Sequence, residues 1–244
     1  MTAAATRPSH GAAFTAMYSV LLRSQIRTGR LLGLGALALL AIILGAVAGT
    51  GSNAVEDAVS VQGSFGLSVV VPVGALLIAS STLGDLVEDR SLLYFTLRPV
   101  PRWLVALAGW AAAVTITVPA VVVPMLLAAV FAGDGGVLVG AGLSSLLGTL
   151  AYVGLFLFVG LVLKRALIWG LAYILIWEGF VATAGAGVAR LAVRSYTRSI
   201  LSTTSDVDLR LADRSTAAAI IVPILVAVVG VVLTARSLAG RDID

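Results

Sequence analysis

Cysteine is absent from the 244 residues, which removes disulfides, thiolate metal sites and cysteine nucleophiles together and leaves the redox compartment open. His10 is the only histidine, so a zinc site of two or more histidines cannot be built. Lys164 is the only lysine, and no glycine-rich G-x-x-x-x-G-K-[ST] loop surrounds it, which excludes a phosphate-loop ATPase within this chain. A membrane-embedded serine protease is excluded in the same way, because no apolar block offers a histidine or lysine as base. Charge of either sign is scarce at 11% of residues, against about a quarter in soluble domains. The net +4 is spread along the chain without the clustered basic face of a nucleic-acid binder. No catalytic residue, metal or cofactor is expected.

What fills the chain instead is apolar sequence, 59% of residues, in long blocks. About 20 such residues cross a bilayer as a helix. The blocks predict an all-α integral membrane protein, one domain over 1–244, with six transmembrane helices at about 31–48, 64–83, 103–132, 137–163, 166–188 and 217–235. Residues 1–30 form a tail and then a helix. In that helix Phe14, Met17, Tyr18, Leu21, Leu22, Gln25 and Ile26 recur at helical spacing while Arg23, Arg27 and Arg30 fall elsewhere. That is the pattern of an amphipathic helix lying in the membrane interface, or else of an extension of the first span. Three pairs, Gly29/Gly33, Gly45/Gly49 and Gly136/Gly140, have the spacing of helix-packing motifs, but among 26 glycines about three are expected by chance.

Loop charges orient the spans. Arg23, Arg27, Arg30, Arg90, Arg98, Arg102, Lys164, Arg165, Arg236 and Arg241 share the face of the N-terminus, and the loops 49–63 and 133–136 carry acids and no base. Both termini are therefore expected in the cytoplasm, the protein being a multi-pass component of the plasma (inner) membrane. The segment 189–215 breaks the pattern, with Arg190, Arg194, Arg198, Arg210 and Arg214 on the outer side. Its Asp206, Asp208 and Asp213 suggest a folded external helical segment held by internal ion pairs.

Two places carry candidate function. Glu178, in Ile174-Leu175-Ile176-Trp177-Glu178-Gly179-Phe180, is an ionisable group inside the fifth span: a pathway contact, or an interhelical carboxylate satisfied by an arginine of the next segment. The other is the cytoplasmic loop 85–102. It opens on Asp85, Glu88, Asp89 and Arg90, continues through Leu92, Leu93, Tyr94 and Phe95, and is stopped by Pro99 and Pro101 between Arg98 and Arg102. A short amphipathic helix held there by two spans could seat in a groove of a soluble partner; a charged connector anchoring the spans has the same composition.

At this loop the sequence resembles the membrane-spanning permease subunits of ABC transporters of the type-2 exporter family. The carrying residues are Glu88-Asp89-Arg90 before Ser91-Leu92, and Arg98-Pro99-Val100-Pro101-Arg102 before the third span. The amphipathic helix, the six-span plan, Trp177-Glu178-Gly179 with Ser195-Tyr196 further on, and Arg241-Asp242-Ile243 add to it. Ser91-Leu92 stands where the family usually has glycine-threonine. The resemblance implies a non-catalytic permease paired with a second copy or a related permease and with two ABC ATPase subunits. ATP and Mg would be bound by those partners, and the loop would serve as coupling helix through Asp85, Glu88, Asp89, Arg90, Leu92, Arg98, Pro99 and Arg102. An ion-coupled secondary transporter and a non-transporting accessory membrane protein are the alternative readings.

Overall fold

The computed structural model describes residues 9–88, 101–181 and 186–240, with the side chains of 86–88 and 186 outside that description. Every regular element among them is helical. Helix α1 spans His10–Gln25 and is capped by Ser9, whose hydroxyl accepts from the Ala12 amide at 3.3 Å. The chain then breaks: Ile26 has ψ 74° and Arg27 is extended before α2, Thr28–Ala48. The apolar stripe from Phe14 to Gln25 is therefore a separate helix and not the lower end of the first span, while Arg30 belongs to α2. It lies across α4 and α5, burying Met17, Leu21 and Gln25.

The second block is longer than the sequence suggests. It runs as α3 (Ala54–Val61), a π-helical stretch (Gln62–Val70) and α4 (Val71–Glu88), so that the expected loop at 49–63 is mostly helix. Helix α5, Arg102–Val130, stays helical through Pro119 and Pro124, and Gly133 in left-handed backbone (φ 67°) turns the chain into α6, Gly135–Val162. Arg165, also left-handed at φ 61°, makes the next corner. After it come α7 (Ala166–Ala172) and a second π-helical stretch (Tyr173–Phe180), followed by the short α8 (Ala186–Ala189), α9 (Val193–Ser205) and α10 (Thr216–Ala239).

Five of these helices are long and apolar enough to cross a bilayer: Thr28–Ala48, Ala54–Asp85, Arg102–Val130, Gly135–Val162 and Thr216–Ala239. The block expected at 166–188 is a shorter apolar helix, Ala166–Phe180. At 1.5 Å per residue it covers about 22 Å, short of a ~30 Å hydrocarbon core.

Helix α6 is the axis of the bundle and packs on α4, α5, α9 and α10. In the apolar stretches of α4 and α6, 72% and 67% of residues are buried, against 22% in α2 and α10, which puts those two at the periphery. Small residues let the backbones of the axis close up. A Cβ on Gly154 of α6 would stand 2.7 Å from the Ala227 carbonyl of α10, and one on Gly84 of α4 would stand 3.0 Å from the Gly160 carbonyl.

Part of the segment 189–215 packs into the bundle. Helix α9 buries Arg194, Ser195, Tyr196, Thr197, Ile200 and Leu201 between α6, α10 and the first π stretch. Its last turn meets the start of α6, where Thr204 fills the space over Gly136 and Gly140, and Thr197 stands over Gly148 further along. Among the described residues, Ala166–Phe180 and Val193–Ser205 are two helical pieces, with the second starting beside Glu178.

Candidate functional site

Glu178 holds the joint between those two pieces. A π-helical turn brings residues five apart onto one face, and the Tyr173 hydroxyl accordingly donates to Glu178 Oε1 at 3.1 Å. Across the gap, the Val193 amide donates to Oε1 at 3.0 Å and the Arg194 amide to Oε2 at 3.2 Å. These are the first two amides of α9, whose own N-cap, Ala192, has no side chain able to receive them. Glu178 thus caps α9 from another helix, with its charge at the positive end of the helix dipole. It is 1% exposed. The fully buried Tyr152 turns its hydroxyl toward the same carboxylate without forming a hydrogen bond. Behind it Tyr152 stacks on Phe156 at 5.9 Å between centroids, and Phe156 meets Tyr173 edge-on at 6.1 Å.

The partner of Glu178 is thus the backbone of Val193 and Arg194 and not an arginine side chain. The arginines of α9 point to the first π stretch. Arg198 directs Nε and Nη2 onto the Gly63 carbonyl at 3.1 and 2.8 Å, Nη2 also onto Ser68 Oγ at 3.2 Å, and Nη1 onto the Arg210 carbonyl at 3.1 Å. Arg194 Nη1 donates to Ser68 Oγ at 3.4 Å. Arg198 takes carbonyl and hydroxyl oxygens and Arg194 a hydroxyl, where ion pairs with Asp206, Asp208 and Asp213 were expected. The planar guanidinium suits this, because its fork can serve a carbonyl left over by irregular helix geometry.

A second polar cluster lies at the opposite end of the bundle. Asp85, near the end of α4, accepts from Arg30 Nη2 at 2.6 Å and lies 3.5 Å from Arg27 Nη1. One turn earlier, Gln25 of α1 donates through Nε2 to Thr82 Oγ1, and its Oε1 accepts from Ser81 Oγ at 3.3 Å. At the other foot of the loop Arg102 opens α5 directly after Pro101, and the next residue, Trp103, meets the His10 ring at 6.4 Å. Tyr18 and Thr115 hydroxyls bond at 3.0 Å. Helix α1 therefore holds both feet of the loop at once. Of the expected coupling residues, Asp85 and Arg102 are at these feet and Glu88 is the last residue of α4, described by backbone alone. Asp89, Arg90, Leu92, Arg98 and Pro99 lie outside the described residues.

In the second cluster, a clasp of Gln25, Arg27 and Arg30 on the end of α4, Arg30 was read from sequence only as an orienting charge; its neighbours Ser81 and Thr82, and the joint partners Tyr173 and Tyr152, were not singled out. Gln25 gave a signal, as a polar residue on the inward stripe of an otherwise apolar helix face. Among the described residues no group of three or more histidine, aspartate and glutamate side chains could hold a metal ion.

Fold and site together define a protein of long apolar helices, compatible with multi-pass residence in a membrane and carrying buried polar joints at both ends. No protein-family model matches the chain, and no curated protein matches it.

Proposed function

We propose that this chain is the transmembrane permease subunit of an ATP-driven exporter of the ABC type-2 kind, working as a dimer and driven by separate ATPase subunits that dock on the loop 85–102. The observation that carries the reading is the placement of α1, which meets Trp103 at the start of α5 and is joined through Gln25 to Ser81 and Thr82 near the end of α4, where Arg27 and Arg30 just after it hold Asp85. A partner pressing on the loop would move α1, α4 and α5 together, and α2 with them through Arg30. ATP binding by the partner would favour one arrangement of this unit, as any ligand with differential affinity does. The chain itself hydrolyses nothing in this reading.

Topology is consistent with it. Counting the two-piece path Ala166–Phe180 and Val193–Ser205 as one crossing gives six, with the ends of the chain on the arginine-rich, cytoplasmic side. Helix α1 then lies in the inner interface, with Arg23 and Arg27 toward lipid phosphates.

One observation favours a second reading, an ion-coupled secondary transporter: a discontinuous crossing with a carboxylate at its break is a frequent geometry of ion-coupled carriers. Against it, the oxygens of Glu178 are already engaged by three donors of the protein. Purification of the tagged chain in mild detergent, with identification of what accompanies it and measurement of ATPase activity, separates the two. A stoichiometric ATP-binding subunit is expected; a lone, ATPase-silent chain under several extraction conditions would overturn the proposal.

A further inference from the structure

We propose that the cleft at the α6–α7 corner binds the phosphate of an anionic phospholipid headgroup. The cleft has a volume of about 320 Å³ and lies where α4 and α6 end and α7 begins. Gly84 and Gly160 both line it and approach each other closely. Its charged lining is Arg30, Asp85, Lys164 and Arg165, a net of two positive charges, since one arginine is matched by the aspartate. Lys164 and Arg165 are exposed at the rim, and neither side chain has a hydrogen bond or ion pair among the described residues.

The left-handed backbone of Arg165 is what sets both cations on one corner. Ser80 and Ser81 also line the cleft, but the Ser80 hydroxyl donates to the Leu76 carbonyl, and that of Ser81 is taken up by Gln25 Oε1 and the Ile78 carbonyl. The donors free for an anion are therefore the ammonium and the guanidinium, the pair of groups that recognises a phosphate.

A free phosphate and a lipid headgroup share this chemistry. The rim decides for the lipid. Leu163 and Leu167 are 39% and 46% exposed, and Ile168 and Trp169 continue the apolar surface at 60% and 59%. A ligand in the cleft would have its tail on that surface, and Trp169 has the amphipathic character of residues found at headgroup depth. Basic pockets between helix ends suit anionic headgroups on general electrostatic grounds. The inference requires only that this end of the bundle meet the membrane boundary, and it stands apart from the exporter reading.

The test uses the full chain purified in detergent and its melting temperature on titration with dioctanoyl phosphatidylglycerol. Dioctanoyl phosphatidylcholine and inorganic phosphate serve as parallel arms. The variants are Lys164→Gln, Arg165→Asn, which tolerates the left-handed backbone, and the two combined. A saturable rise is expected with phosphatidylglycerol and little with the other two. The midpoint should weaken about fivefold in each single variant, and the rise should vanish in the double variant. An undiminished rise in the double variant would overturn the proposal, as would an equal rise with phosphatidylcholine or with inorganic phosphate. Should the double variant fail to fold, unchanged midpoints in both single variants would do the same.

Discussion

Replacing Glu178 by alanine removes the acceptor for three donors: the Tyr173 hydroxyl and the buried amides of Val193 and Arg194. The tyrosine hydroxyl can turn elsewhere, but the two amides are fixed by the backbone of α9. Each unsatisfied buried amide costs about 1–3 kcal/mol, and loss of a helix cap by itself costs about 0.5–2 kcal/mol. Relief from burying a carboxylate offsets part of this, leaving a net loss of about 3 kcal/mol. For a chain of this length that corresponds to a fall of roughly 6–12 °C in melting temperature. Glu178→Gln keeps one oxygen but presents an NH2 group to one of the fixed amides, so about half the effect is expected. Melting followed by fluorescence-detected size exclusion in detergent would read the series. If Glu178→Ala and Glu178→Gln both melted with the wild type, the capping account would be wrong, and a carboxylate dispensable for folding would point to work in transport instead.

The same assay reads the clasp. Asp85→Asn should cost only about 0.5–1 kcal/mol, because Asp85 remains 26% exposed, yet it should raise protease cleavage at Ile26–Arg27 by freeing α1; unchanged cleavage would mean that Gln25 and the apolar face suffice to hold it. Gly154→Leu pushes a side chain into the Ala227 carbonyl, where no flexible group can give way. Loss of several kcal/mol or no folded protein is expected, and a variant that expresses and melts normally would contradict the α6–α10 contact. Reversing charge at Glu88 and Asp89 should abolish co-purification of an ATPase without affecting insertion, and unaltered co-purification would remove the loop from its proposed role.

Apolar blocks and the roughly 20-residue rule located α2, α5, α6 and α10 within a few residues of where they lie, because each helix must satisfy its own backbone in lipid. The rule failed where helix continues beyond the apolar block. Helix α3 carries Glu56 and Asp57 and looks like a loop by hydropathy. Within 166–188 the described residues give a shorter apolar helix, Ala166–Phe180, with 182–185 outside the description. A helical segment was expected where α9 lies, but its burial was not legible: its serines, threonines and arginines read as solvent-facing, and the Gly63 carbonyl of a π-helical stretch on another segment is what receives Arg198. Chance statistics dismissed Gly136/Gly140 and Gly45/Gly49. Both pairs are close approaches, to Thr204 and to Ala128 and Phe131, while Gly29 has open space around it. Spacing marks where a contact is permitted, and the partner decides whether it exists. The carboxylate of Glu178 was visible as an anomaly, but its partner, a helix start fifteen residues on, was not.

The central place of α6 has a consequence for the order of events during synthesis. Its partners α4 and α5 precede it in the chain, whereas α9 and α10 are made later, so one flank of α6 must wait in lipid for some forty residues' worth of translation. That flank holds Ser144, Ser145, Gly148 and Thr149. Ser144 and Ser145 both bond the Ala141 carbonyl of their own turn, which lets the half-covered helix persist without a partner for its hydroxyls. Thr149 and Tyr152 are buried with no hydrogen bond formed by either hydroxyl. The last helices to arrive therefore close over a flank of α6 on which the serines are already settled within the helix and the hydroxyls of Thr149 and Tyr152 gain no partner.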